Sequence, residues 1–131
     1  MSNRNKLEDL FINEEEELEK YIPLVKKVIR IREETGEPYI LPPKEKLTQK
    51  RFIALYLIGK YFSFKLKKSD SPSASNVEIS DKLSLEKRIV NARLNDLKKD
   101  RLVERVNKGE WKYNTINLKK FLEDLLEDLG E

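Results

Sequence analysis

Six polar side chains recur at helical spacing between Lys87 and Lys99, and their chemistry suits hydrogen bonding to a nucleic acid. With about 100° per residue counted from Leu85, they share one side of a helix predicted over 85–100. The set is Lys87, Arg88, Asn91, Asn95, Lys98 and Lys99. Asparagine can pair through two hydrogen bonds with adenine, and arginine or lysine can donate to guanine. Lys98 and Lys99, near the end of the helix, are better placed for phosphate oxygens.

A basic two-stranded ribbon is predicted directly after this helix, over 102–116. The segments LVERV and EWKYNTI are typical of strands, and a tight turn at Gly109 joins them. Three cations, Arg105, Lys108 and Lys112, lie around the turn and are candidates for contacts to phosphates or the minor groove. Trp111 is predicted to pack in the core, with an exposed stacking surface as the alternative.

The helix also places Arg93 near its apolar side. A cation there is expected to be structural and to pair with a carboxylate, so Arg93 is left out of the predicted contact surface.

The distribution of charge along the chain supports contact with a polyanion. Residues 41–117 hold 18 basic and 9 acidic residues, a net charge of +9, whereas 1–40 and 118–131 each have a net charge of −3. A basic middle between acidic ends favours polyanions as partners. The alternative is an ordinary charge-rich surface, as in heat-adapted proteins rich in Lys and Glu.

The composition argues against several other functions. The chain has no cysteine and no histidine, which removes disulfides, thiol chemistry, the commonest general base and the commonest metal ligand. Its four glycines are isolated, so no phosphate-binding loop is predicted. The acidic runs EEEE and LEDLLEDL are typical of helix ends and solvated faces. We therefore expect a protein without enzymatic activity, cofactor or metal. With no membrane span or secretory signal evident, we expect it in the cytoplasm.

Several further elements are predicted to position this surface. A helix should begin after Asn13, split near Ile22 because of Pro23, and run to Gly36. The proline-rich stretch after it should be extended. A long buried helix is predicted over 48–67 with Thr48 as its cap, and a buried strand is the alternative. After a Ser-rich loop, a short helix over 76–84 should turn its apolar residues inward, namely Val77, Ile79 and Leu83.

Residues 45–117 resemble the winged helix-turn-helix family of archaeal and bacterial transcription regulators. The family's helix and strand frame, V-x-x-x-L-x-x-L followed by L-V-x-R, is matched by Val90, Leu94, Leu97, Leu102, Val103 and Arg105. The preceding turn pattern is matched by Ile79, Ser80, Leu83, Ser84 and Leu85. The family usually has glycine where this chain has Ser84 and Arg101, so the two turns are expected to differ in detail.

The resemblance implies a mainly α fold with a small β wing, a role that the ribbon over 102–116 would fill. It divides the chain into an N-terminal helical extension (1–44), a winged helix-turn-helix domain (45–117) and a C-terminal helix (118–131) suited to dimerisation. It also implies a regulator that binds double-stranded DNA, with helix 85–100 in the major groove and the ribbon on phosphates. The alternative is a protein–protein interaction module that binds an acidic partner. Lys87, Asn91 and Trp111 also resemble domains that bind Z-form duplexes, although Asn95 and the proline-free NKGEW turn depart from that pattern.

The C-terminal helix suggests a homodimer. Four leucines, Leu118, Leu122, Leu125 and Leu129, follow heptad-like spacing, and the N-terminal helices are apolar on more than one side. A two-fold dimer would present two reading helices to a near-palindromic site. In the competing interpretation, these helices fold back over 48–67 and complete the core of a monomer.

Overall fold

The computed structural model describes residues 7–131. Within this range the chain is mixed α/β, with helices predominant. Its α-helices are α1 (Glu14–Glu19), α2 (Ile22–Val25), α3 (Gln49–Lys65), α4 (Asn76–Leu83), α5 (Lys87–Lys99) and α6 (Leu118–Asp128). Its strands are β1 (Ile29–Ile31), β2 (Pro38–Ile40), β3 (Ala74–Ser75), β4 (Val103–Arg105) and β5 (Glu110–Tyr113). Short 3-10 helices cover Leu7–Leu10, Lys44–Lys46 and Thr115–Asn117.

The predicted N-terminal helix is correct in its first part and wrong in its second. The Asn13 side chain accepts a hydrogen bond from Glu16 N at 3.2 Å, and the helix splits just before Pro23, as expected. After Val25, however, the chain forms an antiparallel hairpin of β1 and β2 rather than more helix. Gly36 lies between the two strands at φ +76°, where an added Cβ would come within 2.5 Å of the Lys68 carbonyl oxygen. The N-terminal extension is therefore helical only up to Val25.

The prediction of a long central helix is confirmed by α3. Thr48 caps it by accepting a hydrogen bond from Arg51 N at 3.1 Å. Every residue from 53 to 59 is buried. At Gly59 a Cβ would lie 2.5 Å from Pro38 Cβ, so this glycine lets β2 pack directly on the helix. The central position of α3 explains why it is apolar on almost every side.

The turns on either side of α5 keep a left-handed backbone without glycine. Ser84, after α4, has φ +55°, and Arg101, after α5, has φ +63°. Each is in a region that disfavours residues with a side chain by roughly 1 kcal/mol. The two turns therefore differ from the family pattern in residue type only. Their backbone still adopts the left-handed conformation that glycine favours. In α4, Ile79 and Leu83 face inward as predicted, but Val77 is 50% exposed.

The predicted ribbon is the larger part of a three-stranded sheet with the order β3-β5-β4. Val103 pairs with Tyr113 and Arg105 with Trp111, while β3 places Ala74 opposite Trp111. Strand β3 consists of two residues at the end of the Ser-rich loop and was not predicted from the sequence. The last predicted strand also ends earlier than expected, because Thr115–Asn117 form a 3-10 helix. We keep the name "ribbon" for β4, β5 and their turn.

The C-terminal leucine stripe lies in the core of its own chain. Leu118, Leu122 and Leu125 are fully buried, and Leu129 is partly buried against the same hydrophobic cluster. That cluster also includes Leu18 and side chains of α3, α4 and α5, so it spans all three predicted segments of the chain. The stripe is therefore not a surface seam, and the homodimer stays a prediction without this support. Among residues 7–131 no helix is both long enough and apolar enough to cross a membrane.

Candidate nucleic-acid interface

The polar side of α5 faces solvent as predicted. Its six candidate residues are all exposed: Lys87, Arg88, Asn91, Asn95, Lys98 and Lys99. On the opposite side Val90, Leu94 and Leu97 are fully buried, and α5 packs on α3 and α4 through them. The amphipathic pattern thus determines the orientation of α5. Contact between this surface and DNA stays a prediction.

A groove of about 550 Å³ separates α5 from the ribbon. Two of its walls carry predicted contact residues, Asn91 and Asn95 on the helix and Arg105 and Lys108 on the ribbon. Its other lining residues are Ser75, Asn76, Val77, Gly109 and Trp111. The fold therefore brings two amides and two cations, which are up to 17 positions apart in sequence, to one concave surface.

The other predicted residues lie outside this groove. Lys87 and Arg88 extend the exposed side of α5 toward its N-terminus, where Arg88 is 3.6 Å from Glu86 in a solvent-exposed ion pair. Lys98 and Lys99 extend it toward the C-terminus, and all four remain on the predicted side of the helix.

Lys112 is separated from the other ribbon cations. It alternates along β5 with the buried residues Trp111 and Tyr113, and it is paired with Glu104 across the ribbon. Side chains of successive strand residues point to opposite faces, so Lys112 lies on the face away from the groove, with an acid as its cross-strand neighbour. The structure therefore does not group Lys112 with Arg105 and Lys108.

A hydrogen-bonded chain of three side chains crosses the floor of the groove. Trp111 Nε1 donates to Asn76 Oδ1 at 2.7 Å, and Asn76 Nδ2 donates to Asn91 Oδ1. The carbonyl oxygen of Asn91 therefore already accepts one hydrogen bond within the protein. In contrast, the Asn95 side chain makes no hydrogen bond within residues 7–131, so both its donor and its acceptor groups remain open.

Trp111 is a core residue, as predicted. It is 5% exposed, yet its edge reaches the groove through the bond to Asn76. The Arg105 guanidinium lies 5.8 Å from the centre of the Trp111 ring, within the range of a cation–π interaction. This contact holds a cation at the wall of the groove.

Two groove residues, Ser75 and Asn76, were not identified from the sequence. Ser75 caps α4 by accepting a hydrogen bond from Glu78 N at 3.0 Å, and the S-x-x-E spacing of a capping box is the signal that marks this helix start. Asn76 carries no local signal, because its partners are 15 and 35 positions away.

The start of α4 is held against the core by Glu78. Tyr56 of α3 donates to Glu78 Oε2 at 2.7 Å, and Lys60 Nζ lies 3.1 Å from the same oxygen. Burial, followed by the hydrogen bond to Glu78, raises the pKa of Tyr56 above its ordinary value. Because Glu78 lies two residues after Asn76, these contacts fix the end of α4 that borders the groove.

The predicted structural role of Arg93 agrees with its contacts. Its Nε lies 3.0 Å from Asp96 Oδ2 in an ion pair, and it does not line the groove. Across residues 7–131, no group of three or more Asp and Glu side chains is placed to hold a metal ion.

Comparisons with protein-family models, with curated proteins and with solved structures gave no match. The resemblance to winged-helix regulators therefore depends on the residues and the geometry described above.

Proposed function

We propose that this protein is a winged-helix transcription regulator that binds double-stranded DNA. Helix α5 would enter the major groove, and the ribbon would contact phosphates beside it. The observation that carries the proposal is the groove in which Asn91 and Asn95 face Arg105 and Lys108. It combines side chains that can read base edges with side chains that can neutralise the backbone.

The charge and polarity of the surface support DNA over an apolar protein partner. The exposed side of α5 holds four cations and two amides and no acidic residue, all within one helix. An apolar docking surface would require large exposed hydrophobic side chains there, whereas the apolar residues of α5 point into the core. This arrangement favours a polyanion.

The hydrogen bonds distinguish the roles of the two asparagines. Bidentate recognition of adenine uses both the carbonyl and the amide of one side chain. Asn95 has both groups open, while the Asn91 carbonyl oxygen already accepts a hydrogen bond from Asn76, which fixes the orientation of that side chain. We therefore assign Asn95 as the main base reader and Asn91 as a residue that positions the floor of the groove.

A selection from a random DNA library tests this proposal. The wild-type protein, Asn95→Ala and Asn91→Ala would be compared at two salt concentrations, with Lys119→Ala on α6 as a control outside the groove. Asn95→Ala should reduce discrimination at one base position by about 1–3 kcal/mol. It should leave nonspecific affinity nearly unchanged.

Asn91→Ala should have a smaller effect on sequence preference, because its carbonyl is already bonded within the protein. Absence of any enriched sequence for the wild-type protein would reject sequence-specific DNA binding. Equal preference in the wild-type protein and Asn95→Ala would reject the role of Asn95.

A further inference from the structure

The direction of the hydrogen bonds across the floor of the groove is set at one end by Trp111. An indole Nε1–H group can only donate a hydrogen bond, so the Asn76 atom that lies 2.7 Å from it must be the carbonyl oxygen. The Trp111 ring is 5% exposed, and its backbone pairs with Ala74 of β3, so this donor has a fixed position. Trp111 therefore determines which way the amide of Asn76 is turned.

Asn76 in turn orients Asn91. Because the carbonyl oxygen of Asn76 faces Trp111, its Nδ2 group is the one that faces α5, and an NH2 group can only donate. The atom of Asn91 that receives this bond is accordingly Oδ1. An amide group is planar and carries its oxygen and its nitrogen on opposite sides, so the Nδ2 group of Asn91 is the branch that points away from Asn76. We call Trp111, Asn76 and Asn91 the indole–amide network.

Asn91 and Asn95 consequently offer different groups to a partner, although both are placed on the exposed side of α5. The Asn95 amide makes no hydrogen bond within residues 7–131, so it can present a donor and an acceptor together. Asn91 presents the two N–H groups of its Nδ2 atom. The Asn91 carbonyl oxygen can accept a second hydrogen bond, so the difference between the two asparagines is a preference and not an exclusion.

We propose that the indole–amide network makes Asn91 a selective reader of hydrogen-bond acceptors, so that it recognises the keto bases guanine and thymine. This inference rests on the proposed function. In the major groove guanine presents two acceptors, N7 and O6, and thymine presents O4, whereas the exocyclic groups of adenine and cytosine are donors. Asn91 would touch the base, and Asn76 and Trp111 would act through it as positioning residues.

The spacing of the two asparagines predicts how their preferences are arranged in the binding site. Asn91 and Asn95 are four positions apart on α5, which corresponds to about 6 Å along the helix axis. Successive bases of one strand are about 3.4 Å apart. A keto base read by Asn91 should therefore lie within about two base pairs of an adenine read by Asn95.

Selection from a random DNA library tests the base assignment. The position that Asn91 reads is the one at which Asn91→Ala loses preference while the rest of the selected sequence is retained. At that position the wild-type protein should prefer guanine or thymine over adenine and cytosine by about fivefold or more, the lower end of what a good base contact contributes. A wild-type preference for adenine or cytosine there would overturn the proposal, as would a selected sequence that Asn91→Ala leaves unchanged.

Asn76→Asp is the sharpest variant, because it changes the direction of the hydrogen bonds and hardly changes the shape of the side chain. A carboxylate at this position still accepts the bond from Trp111, but it has no N–H group to donate to Asn91. The Asn91 amide should then turn over and donate to the carboxylate, which leaves its carbonyl oxygen toward the DNA. The preference at that position should change to adenine or cytosine, and a retained preference for guanine or thymine would contradict the proposal.

Val77→Asp is the matched control for the added negative charge. Val77 is the next residue of α4, is 50% exposed and lines the same groove, but it does not belong to the network. Its substitution should weaken binding to every duplex by repelling phosphates and should leave the keto preference unchanged. If Val77→Asp reversed the preference as Asn76→Asp does, charge alone would explain the reversal and the proposal would fail.

The indole N–H signal of Trp111 tests the network without DNA. Trp111 is the single tryptophan of the chain, so the one indole signal in a proton–nitrogen NMR spectrum belongs to it. Asn76→Ala should move this signal toward that of an unbonded indole and speed its exchange with solvent, whereas Asn76→Asp should keep it bonded. Asn95→Ala, across the groove, should leave the signal unchanged. An indole signal that Asn76→Ala does not alter would overturn the proposal.

This inference and the proposed function fail in different experiments. If the wild-type protein enriches no DNA sequence while Asn76→Ala alters the indole signal, the proposed function fails and takes the base assignment with it, and only the network remains. If the protein selects a sequence in which Asn76→Asp retains guanine or thymine, DNA binding stands and this inference alone is rejected.

Discussion

The two cations on the groove side of the ribbon, Arg105 and Lys108, should set much of the salt dependence of DNA binding. Both line the groove, and Arg105 is held against the Trp111 ring. Lys112 belongs to the same ribbon but lies on its other face, opposite Glu104. Replacing Arg105 and Lys108 with glutamine removes two charges and keeps polar side chains of moderate length. Lys112→Gln removes one charge from the same strand pair and serves as the matched control.

The size of the effect follows from the number of phosphates that these residues can neutralise. Each phosphate contact contributes about 0.9 to the slope of log affinity against log salt. Loss of both contacts should therefore reduce the slope by up to about 1.8. Between 50 and 200 mM salt, the wild-type protein should lose roughly tenfold more affinity than the double variant. Lys112→Gln should change the slope by much less than the value of about 0.9 expected for the loss of one phosphate contact.

Fluorescence anisotropy with one labelled duplex, titrated at four or more salt concentrations, measures these slopes. Thermal unfolding of each variant would establish that the fold is retained. An unchanged slope in the double variant would show that the groove side of the ribbon does not touch phosphate. If Lys112→Gln reduced the salt slope by about 0.9, as expected for the loss of a phosphate contact, DNA would approach the opposite face of the ribbon. The assignment of the groove as the DNA-binding surface would then be wrong.

Three further predictions concern stability. The buried hydroxyl of Tyr113 makes no hydrogen bond within residues 7–131, so Tyr113→Phe should leave the free energy of unfolding unchanged or raise it by up to about 1 kcal/mol. Tyr56→Phe removes a hydrogen bond to a carboxylate and should lower the free energy of unfolding by about 1–2 kcal/mol, as measured by urea unfolding. Burial raises the pKa of both tyrosines above 10.0, so the unfolded chain ionises first. The free energy of unfolding should be retained below about pH 10 and should fall above it by about 1.4 kcal/mol per pH unit for each tyrosine. Urea midpoints that stay constant above pH 10 would contradict this prediction. Ser84→Gly and Arg101→Gly should each stabilise the protein by about 0.5–1 kcal/mol, because both residues have a left-handed backbone that glycine adopts more easily. A loss of stability in chemical unfolding would refute this prediction.

The sequence by itself determined the elements whose causes are local. The period of about 3.6 residues showed which side of α5 would be buried, and the caps at Asn13 and Thr48 marked helix starts. The length and all-round apolarity of 48–67 distinguished a central helix from a buried strand. These features depend on contacts between residues three or four positions apart, so a single stretch of sequence contains the information.

Residues 26–40 show how packing overrides a local pattern. The apolar spacing up to Gly36 predicts a helix and the proline-rich stretch after it an extended chain, yet Ile29–Ile31 form a strand that pairs with Pro38–Ile40 in a hairpin. Gly59 leaves space for Pro38 to contact α3, and Ser63 donates a hydrogen bond to the Gly36 carbonyl at 2.7 Å. Those partners lie more than 20 positions from the hairpin residues that they contact, so no local pattern predicts them.

The tertiary structure also decided which partner each buried or exposed face of a helix or strand would contact. The spacing of Leu118, Leu122 and Leu125 indicated burial, but a stripe of leucines packs equally well on its own core or on another chain. The short strand β3 is recognised only through its pairing with β5. The alternation of side chains along β5 puts Trp111 on the groove side and Lys112 on the other face. Asn76 reached Trp111 and Asn91 only after α4, α5 and the ribbon were packed together. Burial and charge can be read residue by residue, whereas the choice of partner depends on the whole chain minimising its exposed apolar surface at once.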